Sequence, residues 1–181
     1  MGMTETTFGS MNYDVLANIL KSHGFVQNGF GAEIGVLNGD TSDYLLSEIP
    51  NLTLFSIDPY LEYAEADRSQ SRMNEFEQRA RERLAGFGQR SKILKTTSVE
   101  AALFVVDESL DFVFIDALHT YDAVKEDIAT WYPKVRSGGL VAGHDWRWDG
   151  VGQAVTEFIT QHNIKGHFTP IQSDVWFFVK K

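Results

Sequence analysis

An α/β fold built on a doubly wound, mostly parallel sheet is what this sequence predicts, and three observations carry the prediction. Short apolar runs alternate with stretches of helical periodicity along most of the chain. The first of these runs enters a turn holding Gly35 and Gly39, and the second ends on an acid, Asp58, just before Pro59. Strands that alternate with helices form a parallel sheet covered on both faces. Right-handed crossovers then bring the carboxyl ends of the strands to one edge, where such a sheet binds ligands.

Each element follows from its residues. Segment 12–23 carries Val15, Leu16, Ile19 and Leu20 on one helix face, and Gly24 ends it. Strand one is 32–36. Its helix runs over 41–49, with Asp40 or Thr41 as N-cap and Pro50 as the stop. Strand two is 52–57, and the polar, acidic residues 60–70 are expected to form a loop over the strand ends. The helix at 70–85 gathers Met73, Phe76, Ala80 and Leu84 on one face. Strand three is 92–96, a short helix covers 99–106, and strand four is 112–115. Tyr121, Val124, Ile128, Trp131 and Val135 then recur at helical spacing, a helix that Gly138 and Gly139 are expected to end before strand five at 140–143. Val151, Val155, Phe158 and Ile159 mark a last helix. The tail reads as two strands, 167–169 and 175–179, around a turn at 172–174. This makes seven strands. The chain divides into an N-terminal helical segment, 1–29, packed on the core, and one domain over 30–181.

Composition narrows the function. The chain has 181 residues, enough for one domain, and is 43% hydrophobic and 13% aromatic, ample for a packed core. Sixteen Lys and Arg against 25 Asp and Glu leave a net charge of -9, which repels phosphate backbones and makes nucleic acid a poor partner. Arg79, Arg81 and Arg83 form no basic stripe, because Glu77 and Glu82 are interleaved with them. The absence of cysteine excludes disulfides and thiolate metal sites. No apolar run approaches the roughly 20 residues that span a bilayer, and residues 1–10 lack the apolar segment of a signal peptide. A cytoplasmic location with no membrane partner is the expectation.

The first turn carries the chemistry. Gly35 and Gly39 let backbone approach a ligand where a Cβ would collide, and Asp58 is placed to accept hydrogen bonds from a ribose diol. The spacing is not the Gly-x-Gly-x-x-Gly of dinucleotide sites, and Glu33 would repel a pyrophosphate while attracting an ammonium group. Glu33-x-Gly35-x-x-x-Gly39 followed by Ile57-Asp58 resembles motif I and the acidic motif of class I S-adenosylmethionine-dependent methyltransferases. Phe112-Val113-Phe114-Ile115-Asp116-Ala117-Leu118-His119-Thr120-Tyr121 resembles their fourth-strand motif. Ser137-Gly138-Gly139-Leu140-Val141-Ala142-Gly143-His144-Asp145 resembles the fifth. Together these are similar to the branch of catechol-type and antibiotic-tailoring O-methyltransferases, over roughly residues 30–160.

The resemblance implies a Rossmann-like sheet closed by a C-terminal antiparallel hairpin, with S-adenosyl-L-methionine as cofactor. It places Glu33 near the methionine end, Gly35 and Gly39 in the loop, Asp58 on the ribose and Ser98 on the adenine. Thr41 or Ser42, at a helix start, is expected on the methionine carboxylate. Asp116 and the pair His144-Asp145 occupy positions that bind a divalent metal such as Mg²⁺ in the catechol-like branch. Here an imidazole replaces an oxygen ligand, which suits Zn, Mn, Fe or Ni better. Without a metal, Asp116 would contact the methionine amine or position substrate. His119 aligns with a general base, and His144 is its rival. Trp146 and Trp148, flanking Arg147, are candidates for a substrate wall, an interface or a core cover. Tyr60 reads as core or as a cofactor contact, and His23, His162 and His167 lie outside the motifs.

Each residue also has a plain structural role open to it: Glu33 and Asp58 as turn acids, Thr41, Ser98 and His119 as helix caps. The reading that follows is methylation of a small hydroxylated metabolite or sugar, with N-methylation and a homodimer left open. A non-catalytic cofactor-binding protein on the same fold and an NAD(P)-dependent oxidoreductase are the alternatives.

Overall fold

The computed structural model describes residues 11–22, 24–63, 68–168 and 173–181. His23, part of the expected loop at 60–70, and part of the tail turn lie outside them. The elements run α1 (Met11–Ser22), β1 (Phe30–Ile34), α2 (Asp40–Glu48), β2 (Thr53–Ile57), α3 (Gln70–Leu84), β3 (Ser91–Leu94), α4 (Ser98–Ala102), β4 (Leu110–Ile115), α5 (Tyr121–Trp131), β5 (Val135–Gly143), α6 (Asp149–Gln161), β6 (His167–Phe168) and β7 (Trp176–Val179).

The sheet order is β3-β2-β1-β4-β5-β7-β6. The first five strands are parallel, and β7 returns antiparallel to β5, with Leu140 opposite Val179 and Gly143 opposite Trp176. The sheet is Rossmann-like and closes on an antiparallel pair, but a full seventh strand is not present. Six strands have four residues or more, whereas β6 contributes two residue pairs to β7 at the edge, directly after Gly166 at φ 79°.

Both faces of the central strands are buried, as a parallel sheet between helix layers requires. Val113, Ile115 and Val141 face α5 and α6, where Ile128, Trp131 and Val155 meet them. Phe112, Phe114 and Ala142 point the other way, onto Leu16 and Leu20 of α1 and Leu45 and Leu46 of α2. The helix caps differ from those expected at Asp40 or Thr41, Ser98 and His119. Gly39 is the N-cap of α2, with no side-chain bond, and the caps of α4 and α5 lie one residue before and one after the expected ones. Thr97 and Glu100 form a reciprocal capping box on α4, and Ser69 and Thr120 cap α3 and α5.

Two expectations shift. Strand one ends at Ile34 rather than residue 36, because Gly35 leaves the ladder at φ 88° and Val36 belongs to the turn. The long helix stops at Trp131, not at the paired glycines. Pro133 cannot donate an N–H, so Tyr132–Lys134 tightens into a 3-10 turn and Val135 opens β5. Gly138 and Gly139 therefore lie inside that strand, and a Cβ at Gly139 would stand 2.6 Å from the carbonyl oxygen of Asp111.

The sheet is anchored at the edge remote from the site. Asp111, fully buried at the start of β4, accepts hydrogen bonds from the amides of Asn28 (2.9 Å), Gly29 (2.7 Å) and Phe30 (3.1 Å) and from Arg136 Nε (2.8 Å). Burial pushes this carboxyl up, but Arg136 and the amides outweigh it and hold Asp111 below the usual carboxylate range. Among the described residues, no helix is long and apolar enough to cross a membrane.

Candidate functional site

The carboxyl ends of β1, β2, β4 and β5 meet around a cavity of about 540 Å³, within the size range of small-molecule sites. Its floor is the turn after β1. The Gly35 amide donates to the Ile57 carbonyl (2.9 Å), and the Asp116 amide donates to that of Ile34 (2.8 Å), so the chain leaving β4 passes directly beside the turn. A Cβ on Gly35 would lie 2.1 Å from the Asp116 carbonyl oxygen. Gly39 serves packing: at φ 78° it occupies the N-cap position of α2, and its absent Cβ faces Ala80 and Leu84 of α3 at 3.3–3.4 Å. Gly39 does not line the cavity; Gly35 does.

Asp58 holds the turn closed. One carboxylate oxygen accepts from the amides of Val36 (2.9 Å) and Leu37 (3.1 Å), and the other from the amide of Tyr60 (2.8 Å). Asp58 also lines the cavity, as do Glu33 and Thr41. Glu33 is fully buried on β1 and accepts from the hydroxyl of Ser42, which in turn contacts that of Ser56 (2.6 Å). Burial pushes the Glu33 carboxyl up to about 8, helped by Asp116 and Asp58 and opposed by hydrogen bonds from Ser42 and Thr41.

Four side chains converge after β4 and β5, and three of them, Asp116, His119 and Asp145, line the cavity. His119 Nε2 lies 2.7 Å from Asp145 Oδ2, and His144 Nδ1 lies 3.1 Å from the same oxygen. Asp116 Oδ1 is 3.9 Å from His144 Nδ1. Desolvation is the largest influence on Asp116 and pushes it up to about 6. His144 and His119 pull it down, and Asp145 pushes it up. Desolvation acts against the charge of Asp145 as well, but hydrogen bonds from both histidines hold it well below the usual carboxylate range. Burial lowers the basicity of His144, yet its bond to Asp145 and the nearby Asp116 raise it further than burial lowers it. Trp148 packs on the His119 ring, centroids 4.8 Å apart. Trp176 Nε1 fixes the backbone of His144 through its carbonyl (3.0 Å). Asp145 itself sits at φ 57°, a conformation uncommon for a non-glycine residue.

One ligand atom each from Asp116, His144 and Asp145 fall within 4.8 Å of one another. Two carboxylate oxygens and an imidazole nitrogen at this spacing fit a divalent ion of transition type. The buried Nε2 of His144 has no hydrogen-bond partner, so the ring is oriented from its Nδ1 side.

Ser98 is placed elsewhere. Its hydroxyl bonds Asp127 and accepts from Trp131 Nε1 (2.8 Å), so it ties α4 to α5 beneath the sheet edge and does not reach the cavity. Tyr60 is fully buried at φ 50°, its hydroxyl donating to the Leu37 carbonyl (3.2 Å). Three cavity residues carry no sequence signal: Tyr13 on α1, Asn38 in the turn, whose buried Oδ1 is unpartnered, and Arg68 before α3. Asn38 is a variable position of the glycine motif, Arg68 falls in the expected loop at 60–70 without a pattern of its own, and Tyr13 lies outside every motif.

A doubly wound sheet of this order, with an acidic turn after β1 and a polar cluster after β4 and β5, defines a class of adenosyl-cofactor enzymes. The model of the methyltransferase-domain family matches residues 32–146, and the chain belongs to that family of S-adenosylmethionine-dependent methyltransferases. Among curated proteins it is similar to an uncharacterized protein, y4gI, of Sinorhizobium fredii, 36% identical over 55 residues. These cover 30% of this chain and 6% of that protein. The solved O-methyltransferase NovP is 19% identical with a TM-score of 0.66, over 93% of this chain and 80% of its own. The calicheamicin methyltransferase CalS11 is 14% identical with a TM-score of 0.68, over 91% and 77%. A SAM-dependent O-methyltransferase of Thermotoga maritima is 13% identical with a TM-score of 0.65, over 93% and 64%. At these identities the structures share the fold.

Proposed function

We propose that the protein transfers a methyl group from S-adenosylmethionine to a hydroxyl oxygen of a small molecule. The observation that carries this reading is that His119, Asp116 and Asp145 line the same cavity as Glu33. When bound, the cofactor supplies the methyl group on a sulfonium centre, and the protein's task is to bind, orient and deprotonate.

Glu33 answers the ammonium of the methionyl end, and Asp58 keeps the turn in the shape that admits the ribose. His119 is the general base. Asp145, held ionised by its two histidines, fixes the His119 ring through Nε2 and favours the imidazolium formed when it takes the acceptor's proton. His144 is the poorer candidate, because it does not line the cavity and His119 does. Asp116 positions the acceptor hydroxyl. Where a divalent ion is bound, Asp116, His144 and Asp145 would hold it, and it would supply Lewis acidity at that hydroxyl. The acceptor class follows by likeness of fold to the O-methyltransferases above.

The test is calorimetric titration with S-adenosylmethionine and S-adenosylhomocysteine, with and without EDTA and added Mg²⁺ or Zn²⁺, followed by methyl transfer to a panel of catechols, phenols and sugars. Dissociation constants on the order of micromolar are expected. Absence of binding under every condition sinks the reading. His119→Ala should lower turnover by roughly 10²–10⁴-fold with cofactor affinity nearly unchanged. Asp58→Ala should do the reverse, weakening the cofactor first.

A further inference from the structure

We infer that Arg68 receives the α-carboxylate of the cofactor's methionyl end; the inference rests on the cofactor reading above. The cavity is lined by six acids: Glu33, Asp40, Asp58, Glu62, Asp116 and Asp145. Arg68 is the one Lys or Arg among its described lining residues. Its guanidinium is held by cation–π contacts with Phe76 (5.4 Å) and Tyr63 (6.0 Å), and Nε donates to the Tyr63 hydroxyl (3.0 Å). Among the described residues no carboxylate lies within ion-pair reach of it. Arginines outside the lining are committed: Arg83 to Asp40, Arg72 to Glu75, Arg81 to Glu77. A pre-oriented arginine with free terminal nitrogens, facing an otherwise acidic chamber, is a receptor for a planar anion.

The ligand supplies one. S-adenosylmethionine carries two cationic groups, sulfonium and ammonium, for which the acids are suited, and a single carboxylate. The start of α2, where Thr41 and Ser42 were expected to take that carboxylate, is occupied. The Ser42 hydroxyl is spent on Glu33 and Ser56, and Asp43 adds a negative charge to the first turn beside Asp40, which Arg83 pairs. The Asp43 carboxylate there weakens what the helix dipole offers an anion. Arg68 stacks on Phe76, whose cluster with Met73 and Tyr60 includes Val36 and Leu37 of the turn after β1, and His119 and Asp145 are not part of that cluster.

The experiment titrates the full chain with S-adenosylhomocysteine and with its decarboxylated analogue. Wild-type protein should favour the carboxylate-bearing ligand by roughly 10- to 100-fold. Arg68→Met should bring that ratio to about one by weakening S-adenosylhomocysteine alone, and Arg68→Lys should keep part of it. Retained affinity for the decarboxylated analogue shows that the variant is folded. Equal weakening of both ligands, or of neither, overturns the assignment while leaving the cofactor reading intact. A wild-type protein that binds neither ligand overturns the cofactor reading and this one with it.

Discussion

Glu33, with a pKa of about 8, is mostly neutral at pH 7 in the free protein, because burial removes the water that would stabilise its charge and Ser42 and Thr41 replace only part of it. A ligand ammonium drawn to it would restore the charged form. Cofactor binding at pH 7 should therefore release about one proton, seen as a dependence of the calorimetric heat on buffer ionisation enthalpy. Glu33→Gln should release none and bind more weakly. A binding heat independent of buffer in the wild type would refute this. Glu33 and Asp58 were legible in the sequence as chemistry, since a carboxylate inside an apolar strand and another at a strand end have few other reasons to be there. What the sequence withheld was how Asp58 spends its oxygens on three amides. That depends on where the turn after β1 folds back, which no local pattern encodes. The same holds for Ser98, whose partners Asp127 and Trp131 lie a helix away.

At the scale of elements, the periodic helices were readable, and α3 begins and ends within a residue of its expected bounds. The caps were not, since Gly39, Thr97 and Thr120 hold the positions expected of Asp40 or Thr41, Ser98 and His119. β5 was not. Val135 continues the helical spacing of α5, so periodicity alone assigns it to the helix, whereas the stop comes from Pro133 and from strand pairing with β4. Leu110 pairs with Val135 and Phe112 with Leu140, a register shift that lets the Asp111 carboxylate turn inward to the amides of 28–30 and to Arg136. Asp111→Ala leaves the Arg136 Nε and three amides without their acceptor, and the guanidinium without its counter-charge. It should destabilise the domain by about 3–5 kcal/mol in denaturant titrations, with Arg136→Ala close behind. A loss under 1 kcal/mol would show that water replaces the carboxylate.

For the molecule as a whole, the buried acids set a pH window. Glu33 (about 8), Asp116 (about 6) and Asp127 (about 6) bind protons more tightly folded than unfolded. Each contributes most below its unfolded value and loses that contribution as pH rises toward its folded one. Asp111 and Asp145 are depressed, so theirs is present above an unfolded value of ~4 and is lost as pH falls through the folded one. The free protein should be most heat-stable at about pH 4–5, and thermal melts from pH 3 to 9 would show it. Saturating S-adenosylmethionine should flatten the alkaline limb by favouring ionised Glu33. The fold class and the cluster at the strand ends were legible because they rest on local alternation and motif spacing. The two-residue β6 and the cavity's Arg68 were not, because each depends on what packs against it. Gly35 bears on how such chains diverge. What excludes a side chain at that position is the carbonyl of Asp116, not a ligand. A descendant that had abandoned methyl transfer would keep the glycine for the sake of its sheet, yet could exchange Glu33 for Gln, which still offers Ser42 an acceptor. In judging whether a cousin of this protein is still an enzyme, the acid two residues earlier is the better witness.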